Sequence, residues 1–221
     1  MYTPTPDDEV QITRNMYGLN CYFGIVKKEK LSLFDKIRKL FGFADDWIDY
    51  KYICDIYDNG NFYDSKMVYS SEFLEFIENK YDIRNILWST VKGLSKNHIR
   101  DGFTMYGVAY GKGIHSMYTY NLDTIEFVGT DIFENKNYIA PDLVKMIFDT
   151  VLDLPHVEIF HTGEWSKEVQ DEYVYNNYVE NTNETLPHAG VVIKHVSGNR
   201  DKICTIYNPE FIIFLGRTDQ I

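Results

Sequence analysis

The order of strand-like and helix-like segments is the feature that most limits how this chain can fold. Stretches rich in β-branched and aromatic residues predict strands, and apolar residues three or four apart predict helices. The predicted strands lie at 19–26, 47–57, 103–110, 114–120, 124–133, 189–196, 202–207 and 211–215. The predicted helices lie at 71–80, 141–152 and 166–179. Because several strands follow one another with no helix between them, we expect an α+β fold with mixed or antiparallel sheets flanked by helices.

Charge and composition exclude several classes of function. The chain has 33 acidic and 22 basic residues, a net charge of −11, and such a surface repels phosphate backbones and disfavours broad DNA or RNA binding. No apolar run is long enough to predict a membrane span, and the first residues lack the features of a signal peptide. Three cysteines without CxxC spacing fit a reducing compartment and argue against a structural zinc site. We therefore expect a cytoplasmic protein with no membrane partner.

The segment 27–43 differs from the rest of the chain because six basic residues accompany only two acidic ones. Its apolar residues recur at helical spacing and predict an amphipathic helix. Such a helix can lie on a membrane, dock a protein partner through residues 30–41, or pack on its own domain. Packing on its own domain is the expectation, because one apolar stripe is what any packed surface helix shows. The apolar positions are Leu33, Phe34, Ile37, Leu40 and Phe41.

Five segments, in chain order, carry motif-like patterns. They are ITRNMYGLNC at 12–21, YGVAYGKGI at 106–114, FVGTDI at 127–132, AGVVIK at 189–194 and DKICTIYNPEF at 201–211. These resemble, in the same order, the nucleotidyltransferase motifs of the ATP-dependent RNA ligase family. The resemblance implies a ligase-like nucleotidyltransferase fold in a single domain over 1–221, with 27–100 partly an insertion or a divergent region. Because the chain ends at Ile221, soon after the last motif-like segment, we expect that the C-terminal accessory domain usual in the family is absent here.

The resemblance also marks where this sequence departs from the family. Asn15 stands at the position of the lysine that attacks ATP, and an amide nitrogen is not a nucleophile. Val108 and Ala189 replace carboxylates that bind metal and sugar in the family, and neither side chain can supply the oxygen ligands that Mg²⁺ prefers. We therefore expect no catalytic residue, no metal and no cofactor. The remaining predicted positions are Tyr17, Gly18, Thr130, Thr205 and Tyr207, with Lys194 kept and Lys202 near an expected lysine.

The seven substituted positions imply a neutral, partly aromatic cleft, which suits a small ligand better than ATP with Mg²⁺, and Lys194 or Lys202 could contact a phosphate of that ligand. The seven are Asn15, Tyr17, Val108, Thr130, Ala189, Thr205 and Tyr207. The main hypothesis is an inactive ligase relative that binds a nucleotide-derived ligand or an RNA end. Compact members of the family are common in bacteriophages, so a phage protein that sequesters a nucleotide in the host cytoplasm would be consistent with this. Two alternatives stay open. One is a protein-interaction or inhibitor module on the ligase scaffold, and the other is an active ligase or nucleotidyltransferase that uses a shifted lysine such as Lys27 or Lys194.

Overall fold

The computed structural model describes residues 2–42, 47, 49–57, 71–94, 98–114, 118–175, 177–181 and 184–216. Its strands are β1 Glu9–Arg14, β2 Leu19–Lys27, β3 Tyr50–Ile56, β4 Gly102–Gly111, β5 Ile125–Glu134, β6 Asn137–Tyr138, β7 Ile159–Glu164, β8 Tyr178–Asn181, β9 Glu184–Pro187, β10 Gly190–His195 and β11 Ile203–Tyr207. Its α-helices are α1 Leu33–Leu40, α2 Ser71–Lys80, α3 Ile83–Leu94, α4 Pro141–Ile147, α5 Lys167–Tyr175 and α6 Pro209–Phe214.

Within the described ranges, the strands form three antiparallel sheets. The five-stranded sheet has the order β3-β2-β4-β5-β6, and the four-stranded sheet has the order β11-β10-β1-β7. Strands β8 and β9 form a separate hairpin. Antiparallel sheets flanked by helices confirm the predicted α+β class.

The largest core lies between the five-stranded sheet and helices α2, α3 and α4. Alternate residues of β2 and β4, among them Phe23 and Phe103, point to this side, as period-two side-chain alternation requires. Leu87 and Val91 of α3 are fully buried in the same cluster. The opposite face of the sheet is therefore left to meet the four-stranded sheet.

The four-stranded sheet has its own apolar layer. Ile12 of β1 and Ile193 of β10 pair across the sheet and pack with Val174 of α5. A second cluster joins α6 to the chain after β1, where Tyr17 and Tyr118 contact the fully buried Phe211. The two sheets are thus supported from their outer sides, and the space between them is available for a site.

Two predicted strands are wrong. The segment 114–120 forms no strand in its described residues, and β4 pairs instead with β2 and β5. Residues 211–215 belong mostly to α6, whose first turn is set by Asn208 and Pro209. The Asn208 side chain accepts a hydrogen bond from the Glu210 amide at 3.0 Å, and proline fits the first helical position.

The predictions for two helices also need correction. The predicted helix 166–179 ends at Tyr175, and β8 begins at Tyr178. The amphipathic segment does form α1, but the expected packing on its own domain is wrong, because α1 contains no buried residue. Within the described ranges, no helix has the length and apolar character needed to cross a bilayer.

Candidate functional site

A cavity of about 190 Å³ lies between the two large sheets and is referred to below as the inter-sheet cavity. The chain after β1, strands β4 and β5, the residue before β10, and strands β10 and β11 all contribute to its lining. Eight of the ten predicted site residues line it: Asn15, Tyr17, Val108, Thr130, Ala189, Lys194, Thr205 and Tyr207.

The other two predicted residues lie outside the cavity lining. A Cβ atom on Gly18 would lie 2.3 Å from the carbonyl oxygen of Ala109, so this glycine allows the chain after β1 to approach β4 closely. Lys202 is directed away, and its Nζ lies 3.2 Å from Asp8 Oδ1. Gly18 therefore positions the site, and the structure gives Lys202 a partner elsewhere.

Backbone contacts place Asn15 beside the start of β10. The Asn15 amide donates to the Gly190 carbonyl at 2.9 Å, and the preceding Arg14 amide donates to the Glu158 carbonyl at 2.9 Å. Gly190 has a φ of 126°, a conformation that only glycine adopts readily. Asn15 and Ala189, predicted from motifs far apart in the sequence, thus meet at one wall of the cavity.

Tyr17 contributes to the cavity mainly as part of an aromatic wall. Its side chain is 9% exposed, and its ring packs edge-on against Tyr118 and Phe211 at centroid distances of 5.6 and 5.0 Å. The Tyr17 amide donates to the Tyr120 hydroxyl at 2.7 Å. This wall is closely packed, since most of the ring surface is already in contact with protein.

The charges of the cavity centre on Asp131, which the sequence prediction missed. Lys194 Nζ donates to Asp131 Oδ1 at 2.8 Å and to the Thr130 carbonyl at 2.7 Å. The Arg200 guanidinium approaches the other Asp131 oxygen at 3.4 Å. Because Lys194 belongs to β10 and Asp131 to β5, the ion pair links the two sheets across the cavity.

Two arginines complete the charged lining, and neither was predicted. Arg200 stacks over the Tyr138 ring at 4.3 Å, and Arg14 pairs with Glu158 and lies 5.5 Å from the Phe160 centroid. Asp131 lies within the motif-like segment 127–132 and Arg14 within 12–21, but no sequence signal singled out either residue or Arg200. The lining holds three cations and the carboxylate of Asp131, and Glu158, which lies outside the lining, neutralises Arg14. An excess of one positive charge remains, which suits a ligand of low negative charge.

The phenols of the cavity are neutral hydrogen-bonding groups. Burial raises the pKa of Tyr57 and of Tyr207 above the ordinary value for tyrosine. Both side chains line the cavity, so both can donate a hydrogen bond to a ligand at neutral pH. Burial likewise raises the pKa of the Cys21 thiol, which lies in the core on the helix side of the sheet and outside the cavity lining, so it is a poor nucleophile.

The residues that line this cavity do not supply the ligands that a catalytic metal would need. The two positions predicted to have lost their carboxylates are the buried apolar Val108 and Ala189, 5% and 2% exposed. The cavity carboxylate, Asp131, is already held by Lys194 and Arg200. A Mg²⁺ ion prefers several oxygen ligands, and the described lining offers one carboxylate, which two cations already hold.

Comparison with known proteins places this geometry in a known fold. No protein-family model and no curated protein matches the sequence. Among solved structures, a variant of the Naegleria gruberi RNA ligase with ATP and Mn superimposes with a TM-score of 0.58 at 13% identity, over 95% of this chain and 52% of that chain. An apo variant of the same ligase gives a TM-score of 0.58 at 13% identity, over 98% of this chain and 53% of that chain.

The chain has an RNA ligase-like fold. A third structure of the Naegleria ligase, with pyrophosphate, agrees, with a TM-score of 0.57 at 13% identity over 94% of this chain and 51% of that chain. The chain thus spans about half the length of the ligase chains it matches. At this identity the likeness establishes the nucleotidyltransferase-like architecture, and function has to be argued from the residues of the cavity.

Proposed function

We propose that this protein binds a nucleotide-derived ligand or an RNA end in the inter-sheet cavity and does not form a covalent adenylate. The observation that carries the proposal is the convergence of Asn15, Val108 and Ala189 on one cavity. In the family, those positions supply the nucleophile and the carboxylates. An amide and two alkyl side chains cannot perform either role, but they can line a binding site.

The volume and the charge of the cavity limit which ligands it can bind. A volume of about 190 Å³ is smaller than the roughly 300–1,000 Å³ typical of small-molecule sites, so only part of a ligand would be enclosed. A base held inside, with its sugar and phosphate toward the opening, satisfies this limit. The single excess positive charge favours a nucleotide with one phosphate over a triphosphate. The neighbouring solved structures were determined with ATP, AMP or pyrophosphate, which supports a nucleotide as the ligand class.

Calorimetry against adenosine, AMP, ATP and a short 5′-phosphorylated RNA tests the binding. Thr205 lies opposite Val192 in the lining, so Thr205→Phe places a ring in the cavity and should weaken binding at least about tenfold. Thr150→Phe, at an exposed threonine on another face, is the matched control and should bind as the parent does. Absence of binding by the parent, or equal loss in both variants, would refute the proposal.

Incubation with radiolabelled ATP, followed by denaturing electrophoresis, tests the absence of adenylate formation. The parent should show no AMP adduct. We expect Asn15→Lys alone to remain unlabelled, because Val108 and Ala189 still supply no oxygen ligand. A labelled parent would favour the alternative of an active enzyme with a shifted lysine. Lys194→Met and Lys27→Met would then identify the residue.

An exposed apolar face on α1 favours one further candidate, a protein-interaction module. Four of its apolar side chains, Leu33, Phe34, Leu40 and Phe41, are 65–80% exposed. In that case the protein would bind no nucleotide, and helix α1 would be essential for binding the protein partner. The calorimetric panel separates the two candidates directly.

A further inference from the structure

Helix α1 turns its apolar side to solvent. At 100° per residue, its five apolar residues fall within an arc of about 120°. Their exposed fractions are 76% for Leu33, 67% for Phe34, 46% for Ile37, 80% for Leu40 and 65% for Phe41. An ordinary surface helix buries such a stripe against its own domain, so this orientation needs another explanation.

The polar side of the helix holds it to the body of the protein. Lys28 Nζ donates to Asp35 at 3.0 Å, and Lys39 Nζ contacts Asp49 at 2.9 Å. The hydrogen bond from Lys28 lowers the pKa of the Asp35 carboxyl, so that this pair stays charged. Ser32 caps the first turn. Ion pairs on one side therefore keep the apolar stripe on the other side turned outward.

Cations border the stripe on both sides. On the helical wheel, Lys36 lies at one edge and Arg38 at the other, and the Arg38 guanidinium sits 5.8 Å from the Phe34 ring centroid. Both side chains are exposed. The helix belongs to a segment with six basic and two acidic residues in a chain of net charge −11. The occupant of this face must therefore offer an apolar region rimmed by negative charge.

A second copy of the chain does not meet that requirement. Pairing two stripes would bring Lys36 and Arg38 against the same cations of the other copy. An eight-residue helix is also only about 12 Å long, and a stable dimer generally buries more than roughly 1,000 Å². Like charges and small area both disfavour self-association through α1.

We propose that α1 docks the protein on an anionic lipid bilayer. The apolar stripe enters the boundary between headgroups and acyl chains, while Lys36 and Arg38 contact lipid phosphates. One cation lies on each side of the stripe, so the occupant should offer negative charge on both sides at once. A plane of anionic headgroups does so. Docking of this kind needs no spanning helix. It is also independent of the nucleotide proposed for the inter-sheet cavity.

Sedimentation of the whole chain with lipid vesicles tests this. One vesicle preparation is phosphatidylcholine alone, and the other contains about 30% phosphatidylserine. We expect binding to the anionic vesicles only, weakening as salt rises. Lys36→Ala/Arg38→Ala should bind roughly thirtyfold more weakly, from about 1 kcal/mol for each basic residue near an anionic surface. The matched control is Lys112→Ala/Lys136→Ala, whose lysine side chains are 65% and 77% exposed elsewhere.

A second pair of variants tests the apolar stripe. Phe34→Ser/Leu40→Ser should lose at least about tenfold in vesicle binding, because two large side chains no longer insert. Leu143→Ser/Met146→Ser on α4 removes two apolar side chains that are 44% and 51% exposed, and should bind as the parent does. Thermal unfolding of each variant tests whether it still folds. No binding by the parent, equal binding to neutral vesicles, or equal losses in the controls would overturn the proposal.

Discussion

Asp131 is the carboxylate on which two cations of the inter-sheet cavity converge, and Asp131→Asn tests the charge balance described above. Removing one partner of a buried ion pair costs about 3–5 kcal/mol. Here the loss should be smaller. The Thr130 carbonyl still accepts from Lys194, the new amide oxygen can accept as well, and the Arg200 side chain is 40% exposed to water. We expect a loss of about 2–3 kcal/mol in the free energy of unfolding.

Thermal and urea denaturation measure this loss. For a chain of this size, about 2–3 kcal/mol corresponds to a fall of roughly 4–12 °C in Tm. The matched control is Asp149→Asn, which removes the exposed partner of Lys145 on the surface of α4 and should change stability by less than about 0.5 kcal/mol. The double variant Asp131→Asn/Lys194→Met should regain part of the loss, because no buried charge is left without its partner.

The same substitution has a second expected result in ligand binding. Loss of the carboxylate raises the excess charge of the cavity by one, so AMP should bind more tightly to Asp131→Asn than to the parent, while adenosine should change little. The reasoning fails if Asp131→Asn is as mild as Asp149→Asn. It also fails if Asp131→Asn and Lys194→Met each leave the free energy of unfolding and AMP binding unchanged. The ion pair would then contribute neither to stability nor to the charge of the site.

Two further predictions concern the frame of the site. Gly190→Ala should lower the free energy of unfolding by about 2–4 kcal/mol and misplace Asn15, because a Cβ at this positive φ would lie 2.0 Å from the Ile206 carbonyl oxygen. The smallest expected fall in Tm is roughly 4 °C. A Tm within about 2 °C of the parent would contradict the prediction. Burial lowers the pKa of His156 to about 4, below its ordinary value of 6.5. The unfolded chain then binds a proton that the folded chain does not, so stability should fall as the pH drops from about 6.5 toward about 4. His156→Gln should flatten that slope in denaturation series, and an unchanged slope would refute it.

Local sequence patterns were enough to predict the fold class, and the resemblance to ligase motifs predicted part of the cavity lining. The strands 19–26 and 189–196 were found because apolar and β-branched residues mark a sheet whatever its partners are. The motif order then brought eight of ten predicted residues to one cavity. Their roles in ligand binding stay predictions. Residues 211–215 were assigned to a strand from their apolar run, although Asn208 and Pro209 just before them carry a helix-start signal.

The residues that only the tertiary structure revealed owe their role to distant partners. Arg200 comes from a short turn between β10 and β11, and it joins the cavity because that turn reaches Asp131 and Tyr138 in the other sheet. Lys194 was expected at the site, but its pairing with Asp131 depends on how the two sheets approach each other. Residue spacing along one chain segment carries no information about such an approach.

Helix α1 likewise has properties that the sequence determined and an orientation that only the tertiary structure decided. The sequence by itself determined that the segment is helical, amphipathic and basic, since all three properties depend on residues within one or two turns. Which side of the helix faces the body was decided by Lys28 and Asp49, which hold its polar side. A periodic pattern defines two faces of a helix, and only contacts from outside the helix determine which of them is left in water.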